Sequence, residues 1–347
     1  MNRMNNRTPR LAALALMLAA LTACTKTDIT PSDDLTNALN PSSGAPISFE
    51  TEDAFTKAVI DSKADLEVEG NKFRVWSHFQ GTTSGPMFTE VGTEVEYKKL
   101  NEESIPQYGW TYSPTRYWLN GTYDFAAVYP SSVSGTYAPA TQGAAPTLTV
   151  NNFDVTNQDD LLVAFNTGID GGNHPDEVAL TFQHALASLN VQLRVAQETI
   201  SGVLVNVIEA EVREVSFKGI SKKADYIGEG WANHSTETID VGKVLPTRIA
   251  LTGDYQTILD EGILAIPQEM NENVYLYVLA DITLPTGQKM MKSWNLPLSG
   301  IEECPEWEKN KKYIYKATLS AEADIEFEEP IVQPWVQGES TGVIIPR

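Results

Sequence analysis

From residue 46 onward, apolar and polar positions alternate with a period of two over many short stretches. In LNVQLRV, Leu189, Val191, Leu193 and Val195 share one face, and Asn190, Gln192 and Arg194 share the other. Successive side chains of a strand point to opposite faces, so this pattern predicts a half-buried strand. YIYKATL repeats it, with Tyr313, Tyr315, Ala317 and Leu319 set against Ile314, Lys316 and Thr318. VYLYVLADITL and KMMKSWNLPL flank PTGQ, a turn sequence, and predict a hairpin. EVEYKKL, KFRVWSHF and VREVSFKGI predict further strands. Helical signals are few: Glu52 to Asp61 carries Phe55 and Val59 four apart, and a helix is the alternative to a strand around HALASL. Many short strands, Gly/Pro turns, no βαβ alternation and no fixed-period repeat predict an all-β sandwich or barrel.

The strand pattern starts late because the N-terminus does something else. Arg3, Arg7 and Arg10 precede an apolar run from Leu11 to Ala23. That run is too short to cross a bilayer, which needs roughly 20 residues. A basic flank followed by a short apolar core is the pattern of a secretory signal peptide, here residues 1–23. Its end, Leu21-Thr22-Ala23-Cys24, resembles the lipobox of bacterial lipoproteins, which implies cleavage between Ala23 and Cys24 and lipid attachment at Cys24. An ordinary signal peptide with a chance cysteine is the alternative. Residues 24–45 are polar, with Pro31, Pro41 and Gly44, and read as a flexible tether. Asp28, Asp33 and Asp34 in that tether loosely resemble the surface-export signals of Bacteroidetes lipoproteins.

Removal of 23 residues from 347 leaves 324, a length that suits two domains better than one core. The most polar, Gly-rich break between apolar segments is NTGIDGGNHPDE, Asn166 to Glu177. It suggests an N-terminal domain over residues 46–172 and a C-terminal one over 173–347. The second cysteine, Cys304, has no partner if Cys24 is lipidated, so the exported chain must rely on its core.

Charge narrows the function classes. Of 25 basic residues three lie in the signal, which leaves 22 against 46 acids, a balance of −24. Such a surface repels phosphate backbones and excludes nucleic acid as a partner.

Candidate chemistry is sparse. The four histidines, His78, His174, His184 and His234, lack HExxH spacing, and Cys304 lacks a CxxC partner, so neither a metal site nor a cofactor is expected. His184 follows Leu180 and Phe182 on one strand face and reads as a buried, hydrogen-bonded structural histidine rather than a site. Asp170, Asn173, Asp176 and Glu177 supply oxygens enough for calcium but lack EF-hand spacing, and a solvated linker is the preferred reading. There is no GxSxG elbow and no P-loop. Glycosidase carboxylate pairs stay open, since 46 acids leave many candidates. Trp110, Tyr112, Tyr117, Trp118, Tyr123, Phe125 and Tyr129 crowd one stretch. Exposed, they would make a sugar platform; the alternation in YDFAAVYP favours a sandwich core.

Taken in order, several pieces resemble the fimbrillin family of Bacteroidetes fimbrial subunit lipoproteins, the subunits of the type V pilus. They are the lipobox at Cys24, PISFE, the aromatic stretch with YDFAAVYP, DLLVA, LTFQHALASLNVQL, LAIPQEM, WEKNKKYIYKATL and VQPW. They span nearly the whole mature chain. The resemblance implies two tandem transthyretin-like β-sandwich domains and a non-enzymatic role as a cell-surface pilin that supports adhesion. It implies export as an outer-membrane lipoprotein, then proteolytic removal of the first strand. A strand from another subunit fills the opened groove, with other fimbrial subunits as partners and a host or bacterial surface ligand for adhesion. Main-chain hydrogen bonds would give such a contact affinity, and side chains in pockets specificity.

On this chain the removable strand is Ile47 to Glu50, with Ile47 and Phe49 inward. Stalk subunits of the family are cut after arginine, whereas here the first arginine after Cys24 is Arg74, inside a strand. The loop offers only Lys57, which makes Lys57-Ala58 the candidate bond. A different protease, a different stage of maturation and an uncut anchor are all open. The apolar C-terminal Val343, Ile344 and Ile345 are candidates for the donor strand, their own domain being the other place to bury them. A lipid-retaining anchor or accessory subunit, and a surface glycan-binding lipoprotein, are the alternatives to a polymerising subunit.

Overall fold

The computed structural model describes residues 44–52, 62–101, 103, 105–259, 261–320 and 326–335. The signal segment with Ala23 and Cys24, the candidate bond Lys57-Ala58, and Val343, Ile344 and Ile345 lie outside the described residues. So does most of the helical expectation at Glu52 to Asp61.

The protein is all-β. Among the described residues the α-helix is a single turn, Lys63–Leu66, started by Ser62, whose hydroxyl accepts the Asp65 N–H at 3.2 Å. No helix among the described residues is long and apolar enough to cross a membrane.

A seven-stranded antiparallel sheet has the order Gln183–His184, Leu162–Asp170, Thr122–Tyr129, Lys72–Gln80, Thr93–Lys99, Tyr108–Thr111, with Ser84–Pro86 also paired to Lys72–Gln80. Both its faces are covered. Phe73, Val75 and Phe125 point into one apolar cluster, formed by residues from Ile47 to Phe182. Trp76, Val128 and Val163 point into a second, larger cluster. The central strand Thr122–Tyr129 is therefore buried along six consecutive positions, so YDFAAVYP is nearly continuous in apolar residues and does not alternate as expected from the sequence, although the expected core placement holds.

The second cluster lies between further sheets. One has the order Gln256–Thr257, Ala187–Val195, Lys311–Leu319, Glu326–Pro334, with Ile263–Ala265 also on Ala187–Val195. Its two central strands run parallel. Another has the order Thr238–Ala250, Glu209–Ser221, Tyr275–Thr283, Lys289–Pro297. The expected PTGQ hairpin is its last pair, in register from Tyr275↔Pro297 to Thr283↔Lys289. Leu189, Val191, Leu193 and Val195 all face the core. HALASL resolves as the end of Gln183–His184, a bend at Ala185 and Leu186, and the start of Ala187–Val195; Ala187 to Val191 are all buried, so the run there has no alternation to separate it from a helix.

The apolar contacts do not follow chain order. Thr147–Asp154 pairs with Lys223–Ile227, and its Leu148, Val150 and Phe153 join the second cluster. The Asn166–Glu177 break holds the end of Leu162–Asp170 and a 3-10 turn, Gly171–Asn173. Beyond it Val178, Leu180 and Phe182 still pack in the first cluster, and the change of cluster comes between Phe182 and Ala185.

Candidate functional site

The first strand is held from both sides. Its alternation sends Ile47, Phe49 and Thr51 inward and leaves Ser48, Glu50 and Glu52 half-buried or exposed. On entry it bonds to the middle of the aromatic stretch. The Trp118 N–H donates to the Ala45 carbonyl (3.0 Å), and the Ile47 N–H donates to the Arg116 carbonyl (2.8 Å). One residue later it is bonded on its other edge. The Val178 N–H donates to the Ser48 carbonyl at 2.7 Å, and Phe49–Glu52 then runs parallel to Val178–Thr181. The two edges are thus bonded in succession, residues 45–47 on one and 48–52 on the other, and among the described residues Phe49–Glu52 itself has one strand partner.

The side chains complete the slot. The Phe49 ring lies 5.9 Å from Phe73, 6.1 Å from Phe88, 5.7 Å from Tyr112 and 5.9 Å from Phe125. The Phe73 and Phe125 contacts are edge-to-face, a preferred arrangement for aromatic pairs. The Tyr112 hydroxyl donates to the Ile47 carbonyl (2.8 Å) and accepts from the Arg116 N–H (3.2 Å). Burial pushes the Tyr112 phenol up to about 12, with the Arg116 N–H acting the other way, so it stays a donor at physiological pH. Thr51, fully buried, donates to Glu67 Oε1 at 2.9 Å, just past the one-turn helix. Outside, Thr181 donates to Glu52 Oε2 at 2.9 Å.

The aromatic stretch is largely core. Trp110, Trp118, Tyr123 and Phe125 are buried, and Tyr112 and Tyr129 pack partly buried on the same cluster. Tyr117 is half-buried and bridges Pro46 at the mouth of the slot.

His184 is fully buried, as its strand neighbours suggest. Its Nδ1 lies 2.9 Å from Asp160 Oδ2, and its ring stacks on Trp335 at 3.6 Å and 4°. It therefore joins the last described residue to the seven-stranded sheet. Asp170 accepts the Gly172 N–H at 2.9 Å and caps the local turn, while His174 stacks on Trp118 at 5.2 Å. Among the described residues no group of three or more His, Cys, Asp or Glu side chains is placed to hold a metal. Cys304 is buried, its Sγ 3.5 Å from the Tyr315 hydroxyl, and burial raises its pKa.

Sequence reasoning finds Ile47 and Phe49 but not what grips them. Thr51 and Glu67 are individually unremarkable in the sequence. Tyr112 belongs to the aromatic stretch, yet its bond to Ile47 spans 65 positions.

A family model described as fimbrillin-like matches residues 56–335. Among solved structures, a candidate cell adhesion protein from Bacteroides uniformis is 17% identical, with a TM-score of 0.45, over 84% of this chain and 100% of its own. The C-terminally truncated tip fimbrial protein Mfa3 from Porphyromonas gingivalis is 10% identical, with a TM-score of 0.33, over 78% of this chain and 96% of its own. The fimbrial anchor protein Mfa2 from the same organism is 9% identical, with a TM-score of 0.32, over 84% and 98%. No curated protein matches the chain.

Proposed function

Because the chain belongs to the fimbrillin-like family, we propose that it is a structural subunit of cell-surface fimbriae, built from two tandem transthyretin-like β-sandwich domains. It is exported as an outer-membrane lipoprotein acylated at Cys24, loses its first strand to proteolysis, and joins other subunits by strand exchange to support adhesion. The role is non-enzymatic.

One observation carries the reading: the first strand occupies a slot in which residues 45–47 are bonded on one edge and residues 48–52 on the other, with an aromatic pocket at Phe49. Such a slot suits any extended segment that offers apolar side chains two residues apart. Val343, Ile344 and Ile345 of a neighbouring copy are the candidate donors. The contact is head-to-tail and need not close, so it builds a filament. The domain limits proposed are 46–172 and 173–347, with the Thr147–Asp154 strand packed on the second half and Val178, Leu180 and Phe182 reaching back into the first cluster.

A specific observation favours a second reading, an anchor or accessory subunit that keeps its lipid. Arg74 lies within the strand Lys72–Gln80, and its guanidinium donates to the Ser131 carbonyl at 2.9 Å. A protease specific for arginine cannot cut there without opening the sheet, which leaves Lys57-Ala58 as the candidate bond. The test is the N-terminal residue and lipid state of the protein in assembled fimbriae. A lipid-free start at Ala58 fits the polymerising subunit, and a lipidated Cys24 makes it the anchor. A form found only outside fimbriae, with glycan affinity, would transfer the assignment to a surface glycan-binding lipoprotein.

A further inference from the structure

The hairpin of Lys223–Ile227 and Gly230–Ala232 stands beside the segments 267–271 and 305–309, and an open cleft of about 650 Å³ lies between them. That size falls in the range of small-molecule sites, roughly 300–1,000 Å³. Trp231 lines the cleft and is half-buried. Its indole N–H donates to the Ala185 carbonyl at 2.6 Å, and its ring meets Phe153 at 5.8 Å and Tyr226 at 5.5 Å, both edge-to-face. The ring is thus fixed before any ligand arrives, so little entropy is lost on contact.

The polar lining mixes donors with acceptors. Gln268 and Asn271 bring amides whose oxygens already accept the Ser221 N–H (2.6 Å) and the Asn273 N–H (2.9 Å), so they face the cleft chiefly as NH2 donors. His234 Nδ1 lies 3.1 Å from Ser221 Oγ, and that hydroxyl donates to the Lys223 carbonyl at 3.3 Å. Nδ1 is therefore the donor to Ser221, and Nε2 the ring's acceptor. Burial lowers the His234 pKa, which keeps the ring neutral at pH 7. Glu229, Glu269, Glu306 and Glu308 add carboxylate acceptors, against a single cation, Lys309.

We propose that this cleft binds a neutral saccharide, with Trp231 as the stacking surface and the amides, His234 and carboxylates bonding to sugar hydroxyls. Hydroxyls donate and accept, and so match a mixed lining. A cationic side chain only donates, leaves Lys309 opposed, and wastes the amide donors. An acidic sugar meets four carboxylates and is repelled. The inference goes beyond the fimbrial reading and needs neither removal of the first strand nor polymerisation.

Saturation-transfer NMR on the whole mature chain tests it, with lactose, maltotriose and triacetylchitotriose as neutral probes at millimolar concentration. 3′-Sialyllactose and trigalacturonate are the acidic probes, and tetralysine the cationic one. At least one neutral sugar should give signal, and the acidic sugars and tetralysine none. Trp231→Ala should weaken the neutral sugar about tenfold or more, as loss of an aromatic anchor does. Trp231 also packs on the core, so the exposed pair Glu306→Gln and Glu308→Gln serves as the second variant. It should keep the wild-type melting temperature and weaken the exclusion of 3′-sialyllactose. Silence from all three neutral sugars, binding of tetralysine alone, or sugar binding unchanged in Trp231→Ala would each overturn the proposal. Unaltered rejection of 3′-sialyllactose by the Gln pair would do the same.

Discussion

Replacing Phe49 with alanine removes a ring that is 2% exposed and has four aromatic neighbours within 6.1 Å. Loss of a buried phenylalanine costs about 3–5 kcal/mol, the higher end applying where the site cannot collapse. Here collapse is limited. Phe73 is fixed by its pairing with Val95 and Phe125 by its pairing with Ser77, and Tyr112 by its hydrogen bonds to Ile47 and Arg116. The expected loss is therefore about 4–5 kcal/mol. For a cooperative unit of this size, 1 kcal/mol moves the midpoint by roughly 2–4 °C, so the unit holding the slot should melt about 10–20 °C lower. Urea denaturation followed by circular dichroism checks the loss, with the slope held constant to show that the native state is unchanged. Glu50→Ala, on the outward face of the same strand, is the control and should stay within about 0.5 kcal/mol of wild type. A second arm addresses exchange. After the first strand is trimmed, a peptide of residues 44–52 should rebind, and the Phe49→Ala peptide should bind roughly a hundredfold more weakly or worse. A Phe49→Ala loss under about 1 kcal/mol, or equal losses for Phe49→Ala and Glu50→Ala, would refute the claim that this side chain anchors the strand.

Cys24→Ser should abolish labelling by a palmitate analogue and release the protein from membranes, since the polar tether has no other affinity for lipid. His184→Ala should cost roughly 3 kcal/mol, because it leaves the Asp160 carboxylate buried without the ring it pairs with, while assembly at permissive temperature is unchanged. His78 should make the fold weaker in mild acid. Burial, its main influence, lowers the folded pKa below 6.5, against the opposing charge of Asp124, so the unfolded chain takes up the proton first and stability falls as pH drops through the unfolded value. Denaturation between about pH 7.5 and 5 should show a shallower fall for His78→Gln, and an identical slope would remove His78 from the account. Deleting Gly342 to Arg347 should leave the monomer's melting temperature intact and block polymerisation; a much lower melting temperature, or normal fimbriae, would remove the tail from the donor role.

Legibility in the sequence follows burial pattern. Strands with one wet face, such as Tyr275–Thr283 and Lys311–Leu319, announce themselves by alternation. Strands covered on both faces, such as Thr122–Tyr129 and the start of Ala187–Val195, lose it, and HALASL became ambiguous for that reason. Ile47 and Phe49 were legible because two apolar residues alternate with polar ones. Thr51 was not, since a buried hydroxyl declares itself only through its acceptor, Glu67. His184 was legible as a buried residue from its strand neighbours. Its partners Asp160 and Trp335 were not, because both contacts are long-range. The strand Thr147–Asp154 joins the second cluster through its pairing with Lys223–Ile227, which no local pattern encodes. Trp231 was overlooked because it lies in the polar EGWANHS, where nothing alternates.

The slot and the charge impose one constraint together. Burying Ile47 and Phe49 contributes about 3–6 kcal/mol by area transfer, a large share of the 5–15 kcal/mol that holds a typical domain together. Under the proposed maturation, the half that loses this strand would be marginal until another segment filled the slot, which would couple removal to replacement. The balance of 22 basic to 46 acidic residues from Cys24 onward would act in the meantime. Like-charged copies repel at separations up to a Debye length, about 8 Å at physiological salt, which disfavours sideways contact while apolar pocket walls are exposed. A strand entering the slot is favoured instead by main-chain hydrogen bonds and buried side chains, which salt screens little. On the proposed exchange, the exterior would suppress lateral association, and the slot at Phe49 would leave end-on insertion as the favoured contact.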